Sequence, residues 1–373
     1  MMKTAIMAMC LLAAATAQRV DVFWLNQTRG DTTYFCVKIP YVVETATGAL
    51  LAFGEGRVGS CKDVAETHLI YRRSEDGGAT WGDLQLMYAD ADHVIGNAVP
   101  VVDKESGRLF VGFNRDNQET WMTHSDDDGV TFEEPTYMPH LQDDAWKWIG
   151  LGPPKGLQLE SGRLLLPGYH GDFWPFPDRS SVGSGFTKGH TIVSDDKGET
   201  WSILNHEFGE GHYVNELQAA QLANGTVVIN AREFKDRRVL SYSDDEGETF
   251  YRVNEAADLH ETYQGCEGSM ITDAEGSKLY YSGVQGRTPA RIYRENMTIF
   301  GSSDAGESWQ LAQSVTEGAS GYSAMQLLGK TDDGKDRVGI LFERSDCTAD
   351  HFRSTSCPTI FLPEYISWEV YEL

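Results

Sequence analysis

The sequence predicts an all-β protein built as a six-bladed β-propeller. Three observations carry that expectation: an eight-residue turn motif that recurs five times, short strand-like apolar runs on either side of it, and an unusual share of glycine and aromatic residues. The chain has 373 residues, among them 38 Gly, 16 Tyr, 16 Phe and 9 Trp, which suits many short strands joined by tight turns around aromatic cores.

The motif is S-x-D-x-G-x-T-W, first met as Ser74-Glu75-Asp76-Gly77-Gly78-Ala79-Thr80-Trp81. It returns at Ser125–Phe132, Ser194–Trp201, Ser243–Phe250 and Ser302–Trp309, with Phe for Trp twice and Ser308 for Thr once. Ser and Asp can hydrogen-bond the turn's own backbone, Gly supplies a positive φ, and the aromatic residue plugs the hairpin into a core. Apolar runs flank these turns, as at Leu69–Tyr71, Gly189–Val193 and Met297–Phe300, and further strands such as Arg163–Leu166 and Thr226–Asn230 fall between them. Starts lie 51, 69, 49 and 59 residues apart, a mean of 57, so the chain holds about six units. Units of several short strands at such a period bury their faces against one another around a central axis.

Ahead of the repeats, residues 1–17 read as a signal peptide: Met1-Met2-Lys3, an apolar run from Ala5 to Ala15, and a small-residue site before Gln18. Residues 18–373 then form the propeller, which is expected to be secreted or lumenal, with no transmembrane segment. Five cysteines follow the leader, and an exported chain favours disulfides. Cys347 with Cys357 is the favoured pair, Cys36 with Cys61 a second candidate, and Cys266 is then free and buried. Sequons at Asn26, Asn224 and Asn296 fit an exported glycoprotein.

Composition also excludes. With 56 acidic and 31 basic residues the net charge is −25, so no basic stripe exists to displace phosphate counterions and nucleic acid is not a partner. A local pocket field can still attract a small anion. Ten scattered histidines show no HExxH or paired metal spacing, so neither a metal nor a cofactor is expected. Gly321-Tyr322-Ser323 lacks the frame of a serine nucleophile elbow.

Between the repeats stand further segments: Lys38-Ile39-Pro40, Ala52-Phe53-Gly54-Glu55-Gly56-Arg57, Lys62-Asp63, Arg72-Arg73-Ser74, Gly152–Leu159, Leu164–His170, Asn215-Glu216-Leu217-Gln218, Asn230-Ala231-Arg232, Gly265–Met270, Arg294 before Asn296-Met297-Thr298, and Gly321-Tyr322-Ser323. In order, from Lys38 to Glu343, they resemble the conserved segments of the sialidases (neuraminidases), and the repeated turns resemble that family's Asp boxes, which lie away from its active site.

The resemblance implies a retaining exo-α-sialidase acting on sialylated glycoconjugates through a tyrosyl intermediate. Tyr322 becomes the nucleophile, Glu216 its base and Asp63 the general acid and base. Lys38, Arg232 and Arg294 hold the sugar carboxylate, Arg57 supports a ring hydroxyl or Asp63, and Glu343 orients the first cation. A phenol is weak at neutral pH and needs such a base, while a carboxylate nucleophile would meet the charge of the substrate's own anomeric carboxylate. An apolar surrounding would raise the pKa of Asp63, with the clamping cations pushing the other way.

Where the family has an arginine this chain has Lys38, which keeps the charge and loses the planar fork. A sialic-acid-binding lectin with little turnover, and a hydrolase for a deaminated sialic acid, are the alternatives. Taken singly, Tyr322 reads as a strand tyrosine, Glu216 as an exposed strand glutamate, and Arg232 and Arg294 as surface ion pairs. Arg287 and Arg291 compete for the role given to Arg294, and Glu66 and Asp76 are poorer choices than Asp63. Phe173-Trp174-Pro175-Phe176 is an aromatic insertion that suits either a pocket rim or a surface loop.

Overall fold

The computed structural model describes residues 18–171, 187–209, 211–262, 264–286, 294–346 and 363–373. Arg287, Arg291, Cys347, Cys357 and the Phe173–Phe176 insertion lie outside them. The described chain is all-β, its strands pairing antiparallel, with one 3-10 turn at Pro139–Leu141. No helix among the described residues is long and apolar enough to cross a membrane.

Sheets form from neighbouring stretches of chain. The first holds Gln27–Arg29, Thr32–Glu44, Leu50–Val58, Thr67–Ser74 and Gln85–Tyr88. Ile95–Val102, Leu109–Arg115, Glu119–Ser125 and Thr136–Tyr137 form the second. The third joins Trp148–Leu151 and Leu157–Gln158 to one edge of Leu164–Gly171, with Lys188–Ser194 and Ser202–Phe208 beyond it. Leu217–Gln221, Val227–Ala231, Arg237–Ser243 and Arg252–His260 make the fourth.

The last sheet has seven strands and divides inside one of them. Gln310–Lys330 pairs up to Ala319 with Glu295–Ser302, and from Ser320 onward with Asp336–Arg344. Leu279–Val284 and Ser269–Thr272 complete the first side, Tyr365–Glu372 and Val20–Trp24 the second. The first described strand thus pairs with the last, Val20 opposite Trp368.

The five repeated turns are built alike. In the first, Ser74 Oγ accepts the Gly78 amide at 2.9 Å, and Asp76 accepts the Thr80 amide at 2.8 Å and its hydroxyl at 2.6 Å. The same bonds recur in the other four. In the first turn the bonds from Thr80 hold the Asp76 carboxyl down at about 2. These aspartates are occupied by their own turns.

The four later turns also dock on the strand group before them in sequence, and the first docks on the last strand. A Cβ at Gly129 would fall 2.3 Å from Leu51, at Gly198 2.0 Å from Phe110, at Gly247 2.8 Å from Leu165, and at Gly306 2.8 Å from Leu240. At Gly78 the neighbour is Trp368, at 2.0 Å, from the last strand of the chain. The turn's aromatic residue follows: Trp201 lies edge-on to Phe110, Phe132 to Phe53, and Trp81 to Trp368. The aromatic plug therefore fills the space between neighbouring groups as well as its own hairpin.

Gly198→Ala combines a φ of +85° with that Phe110 contact. It is expected to cost about 2–4 kcal/mol, read from urea denaturation, with little change at the cavity described next.

Candidate active site

The predicted site residues sit at strand ends and irregularities from four different groups. Glu216 immediately precedes Leu217–Gln221 and Arg232 immediately follows Val227–Ala231, and the Arg232 amide donates to the Glu216 carbonyl at 2.8 Å. Arg294 precedes Glu295–Ser302, and its carbonyl accepts the Ser320 amide at 3.2 Å. Tyr322 sits in a bulge, because the register with Asp336–Arg344 slips between Ser320 and Ser323. Lys38 lies at a similar slip, between Lys38 and Tyr41. Bulges re-aim side chains, and these two face one cavity.

That cavity has a volume of about 230 Å³. Lys38, Arg57, Asp63, Glu216, Arg232, Arg294 and Tyr322 all line it. Four cations thus meet three carboxyls, the third being Glu55. Burial raises the Glu55 pKa, with Arg57 opposing it, and the cavity gathers these cations in a chain of net charge −25.

One wall is a tight triad. The Tyr322 hydroxyl donates to Glu216 Oε1 at 2.5 Å, while Arg232 Nη1 donates to Glu216 Oε2 at 2.6 Å and to Tyr322 Oη at 2.8 Å. Arg232 Nε and Nη2 both donate to the Gln264 carbonyl, at 3.2 and 2.8 Å, and Arg294 Nη2 donates to the Gly265 carbonyl at 2.9 Å. The Gln264–Gly265 segment therefore spaces the two arginines. Gly265 has φ +69°, and a Cβ there would lie 2.4 Å from the Glu233 carbonyl. Burial pushes the phenol pKa of Tyr322 well above its usual value, Glu216 adding to the rise and Arg232 and Arg294 opposing it. The phenol is held neutral and hydrogen-bonded to its acceptor. Beneath the arginines the free thiol of Cys266 is buried and pushed up to about 12, which leaves it unreactive.

Opposite lies the acidic wall. Arg57 is buried and donates to Asp63 at 2.7 Å, to the Cys61 carbonyl at 2.9 Å and to Glu55 at 3.2 Å. The Asp63 side chain is 62% exposed. Burial of its inner face raises its pKa, but Arg57, Lys38 and Arg294 outweigh that and hold the carboxyl below its ordinary value. No apolar shell governs it. Lys38 is lowered by burial, with Glu343 pulling the other way, and its ammonium lies 5.9 Å from the Tyr322 ring centre.

Glu343 is buried and does not line the cavity. Its carboxylate accepts the amides of Ile39 at 2.9 Å and Tyr322 at 3.2 Å. The two bulges leave those amides without ladder partners, and the carboxylate supplies them. Other buried carboxyls act alike: Glu55 accepts the Asn97 amide at 3.0 Å, and Glu233 those of Tyr213 at 2.7 Å and Phe234 at 2.9 Å.

Sequence reasoning missed the aromatic wall of Trp148, Tyr169, Tyr213 and Phe234. Tyr213 and Phe234 meet edge-on at 4.3 Å, and the Glu233 carboxylate fixes both backbones. Their only sequence signal is adjacency to the Asn215-Glu216 and Arg232 segments.

Among the described residues the disulfide is Cys36–Cys61, the second candidate pair, while Cys347 and Cys357 lie outside them. It joins the strand two residues before Lys38 to the segment two residues before Asp63, closing a separation of 25. A Cys36→Ser/Cys61→Ser variant is expected to lose about 3 kcal/mol. It should also exchange amide hydrogens faster over residues 59–66 than elsewhere, as read by mass spectrometry.

Fold and cavity together define a repeat-built β protein with a cation-rich pocket holding a buried tyrosine–carboxylate pair. Residues 48–335 match the family described as BNR repeat-like domain. An exo-alpha-sialidase of Arthroderma benhamiae is 30% identical over 162 residues, covering 35% of this chain and 40% of that protein. One from Aspergillus fumigatus is 26% identical over 350 residues, covering 82% and 78%. Among solved structures, Hadza microbial sialidase Hz136 superposes with a TM-score of 0.71 at 22% identity, over 91% of this chain and 66% of that one. The chain spans less than half the length of the Arthroderma relative. It belongs to the sialidase family.

Proposed function

We propose that the protein is a retaining exo-α-sialidase that releases terminal sialic acids from glycoconjugates. The observation that carries this is the Tyr322 hydroxyl at 2.5 Å from Glu216, with Arg232 bonded to both. The sugar carboxylate enters among Lys38, Arg232 and Arg294. Asp63 gives its proton to the leaving glycosidic oxygen as that bond breaks, and Tyr322 Oη bonds to the anomeric carbon while its proton passes to Glu216. Water then attacks that carbon with Asp63 as base, and Glu216 returns the proton to the departing phenol oxygen. Proton transfer to Glu216 also weakens its hold on Arg232 Nη1, freeing that N–H for the substrate carboxylate. Arg57 holds Asp63, and Glu343 positions Tyr322 and the residue after Lys38 through the Tyr322 and Ile39 amides.

The scaffold is read as a six-bladed propeller. This is supported by antiparallel groups whose turns each dock on the group before them, with Gly78 against Trp368 closing the series. Residues 1–17 are read as a signal peptide and the protein as secreted, which suits a chain carrying the Cys36–Cys61 bridge.

Purified protein is expected to release the fluorophore from a fluorogenic α-sialoside, and Arg232→Ala to cut kcat/KM by about 10²-fold or more. No release by the wild type would remove the hydrolase assignment. Lys38 motivates one rival, a lectin-like site, which saturable binding of sialyllactose without turnover would select. Matched rates on the N-acyl and deaminated sialosides separate the two sugar classes.

A further inference from the structure

Tyr322 occupies a bulge that ends at Ser323, where pairing with Asp336–Arg344 resumes opposite Phe342. Two buried carboxyls from different sheet regions take up the amides of these two residues. Glu343, on the neighbouring strand, accepts from Tyr322. Glu267, just before Ser269–Thr272, accepts the Ser323 amide on Oε2 at 2.8 Å. The Ser323 hydroxyl is tied in turn to Ser282 Oγ at 2.8 Å. Glu267 is 1% exposed, and its Oε1 has no hydrogen-bond partner among the described residues. It does not line the cavity, and the proposed mechanism gives it no role.

We propose that Glu267 is a positioning residue for the reaction assigned to Tyr322, its buried carboxyl accepting the Ser323 amide and so fixing the bulge and the phenol. The inference rests on the proposed function. An acceptor is needed because a buried amide without one is destabilised, which a bulge can relieve by shifting the chain. A shift of the chain moves the hydroxyl off Glu216, and a misplacement near 1 Å costs on the order of 10²-fold in rate. Glu216 and Glu343 bring negative charge nearby, opposed by Arg238. Burial, more than those neighbours, raises the Glu267 pKa well above its ordinary value. A glutamine keeps the acceptor, its carbonyl oxygen on the Ser323 amide.

The test compares Glu267→Gln with Glu267→Leu by steady-state hydrolysis of a fluorogenic α-sialoside. A second arm follows the Tyr322 resonance in protein labelled with 13C at tyrosine Cζ, assigned with Tyr322→Phe. Glu267→Gln is expected within about threefold of wild type in kcat and KM, with the resonance unmoved. Glu267→Leu should lose about 10²-fold in kcat with KM within about threefold, and its resonance should shift or broaden. If Glu267→Leu does not fold, Glu267→Asp, one methylene short of the amide, should show the same pattern to a smaller degree. Wild-type kcat and resonance in the leucine or aspartate variant would overturn the proposal. So would an equal loss in the glutamine variant. A wild type without activity would overturn the hydrolase assignment, while the resonance would still decide the role of Glu267.

Discussion

Tyr322→Phe is expected to abolish sialoside turnover, lowering kcat by at least about 10³-fold while the protein stays folded. The substitution removes one oxygen, and with it the bond to Glu216 and the one from Arg232. The ring keeps its packing, including the contact with the Arg294 guanidinium at 5.4 Å. Glu216 and Arg232 remain paired at 2.6 Å, so no buried charge is stranded and the stability change should stay within about 1 kcal/mol. Affinity for a sialic acid analogue should persist, since Lys38, Arg232 and Arg294 are untouched. Steady-state rates, a thermal melt and a binding isotherm check the three statements. Turnover near the wild-type rate would mean that the phenol is a wall of the pocket and not its nucleophile.

Asp63→Ala is expected to separate substrates by leaving group. A sialoside of an ordinary sugar alcohol needs its departing oxygen protonated, so kcat/KM should fall about 10²–10⁴-fold. An activated aryl sialoside leaves without that help and should lose far less in the first step. The pH profile follows from the charges around Asp63. Arg57, Lys38 and Arg294 depress its pKa, so with rising pH the free enzyme loses the required proton early, and kcat/KM should peak on the acid side. Substrate brings a carboxylate to Lys38 and Arg294, cancelling part of that depression, so the descending limb of kcat should lie at higher pH than that of kcat/KM. Coincident limbs, or equal losses for both substrates in Asp63→Ala, would remove the general-acid role.

What could be read in the sequence follows the range of the interactions. The repeated turns were legible because each closes its own hydrogen bonds within eight residues, as Asp76 does with Thr80. Their second role, docking Gly198 on Phe110 or Gly78 on Trp368, depends on which strand group comes next and leaves no local mark. The cavity residues Lys38, Arg57, Asp63, Glu216, Arg232, Arg294 and Tyr322 were found because they stand in ordered segments outside the turns. The further bonds of Glu343, to the Ile39 and Tyr322 amides, arise from bulges that spacing does not reveal. Tyr213 and Phe234 were missed because their meeting depends on Glu233 capping both backbones. The Cys36–Cys61 bridge, named as a candidate from the sequence, ties Lys38's strand to Asp63's segment, a link that the spacing of the cysteines does not reveal.

The central claim is that Tyr322 forms a bond to the sugar. Incubation with a 2,3-difluoro sialic acid tests it most directly, since the fluoride at the anomeric carbon leaves readily and the one beside it slows release of the glycosyl-enzyme. Digestion and peptide mass spectrometry should then find one sugar equivalent on the peptide containing Tyr322, absent from Tyr322→Phe. An active enzyme that carries no adduct, or carries it on another residue, would contradict the account.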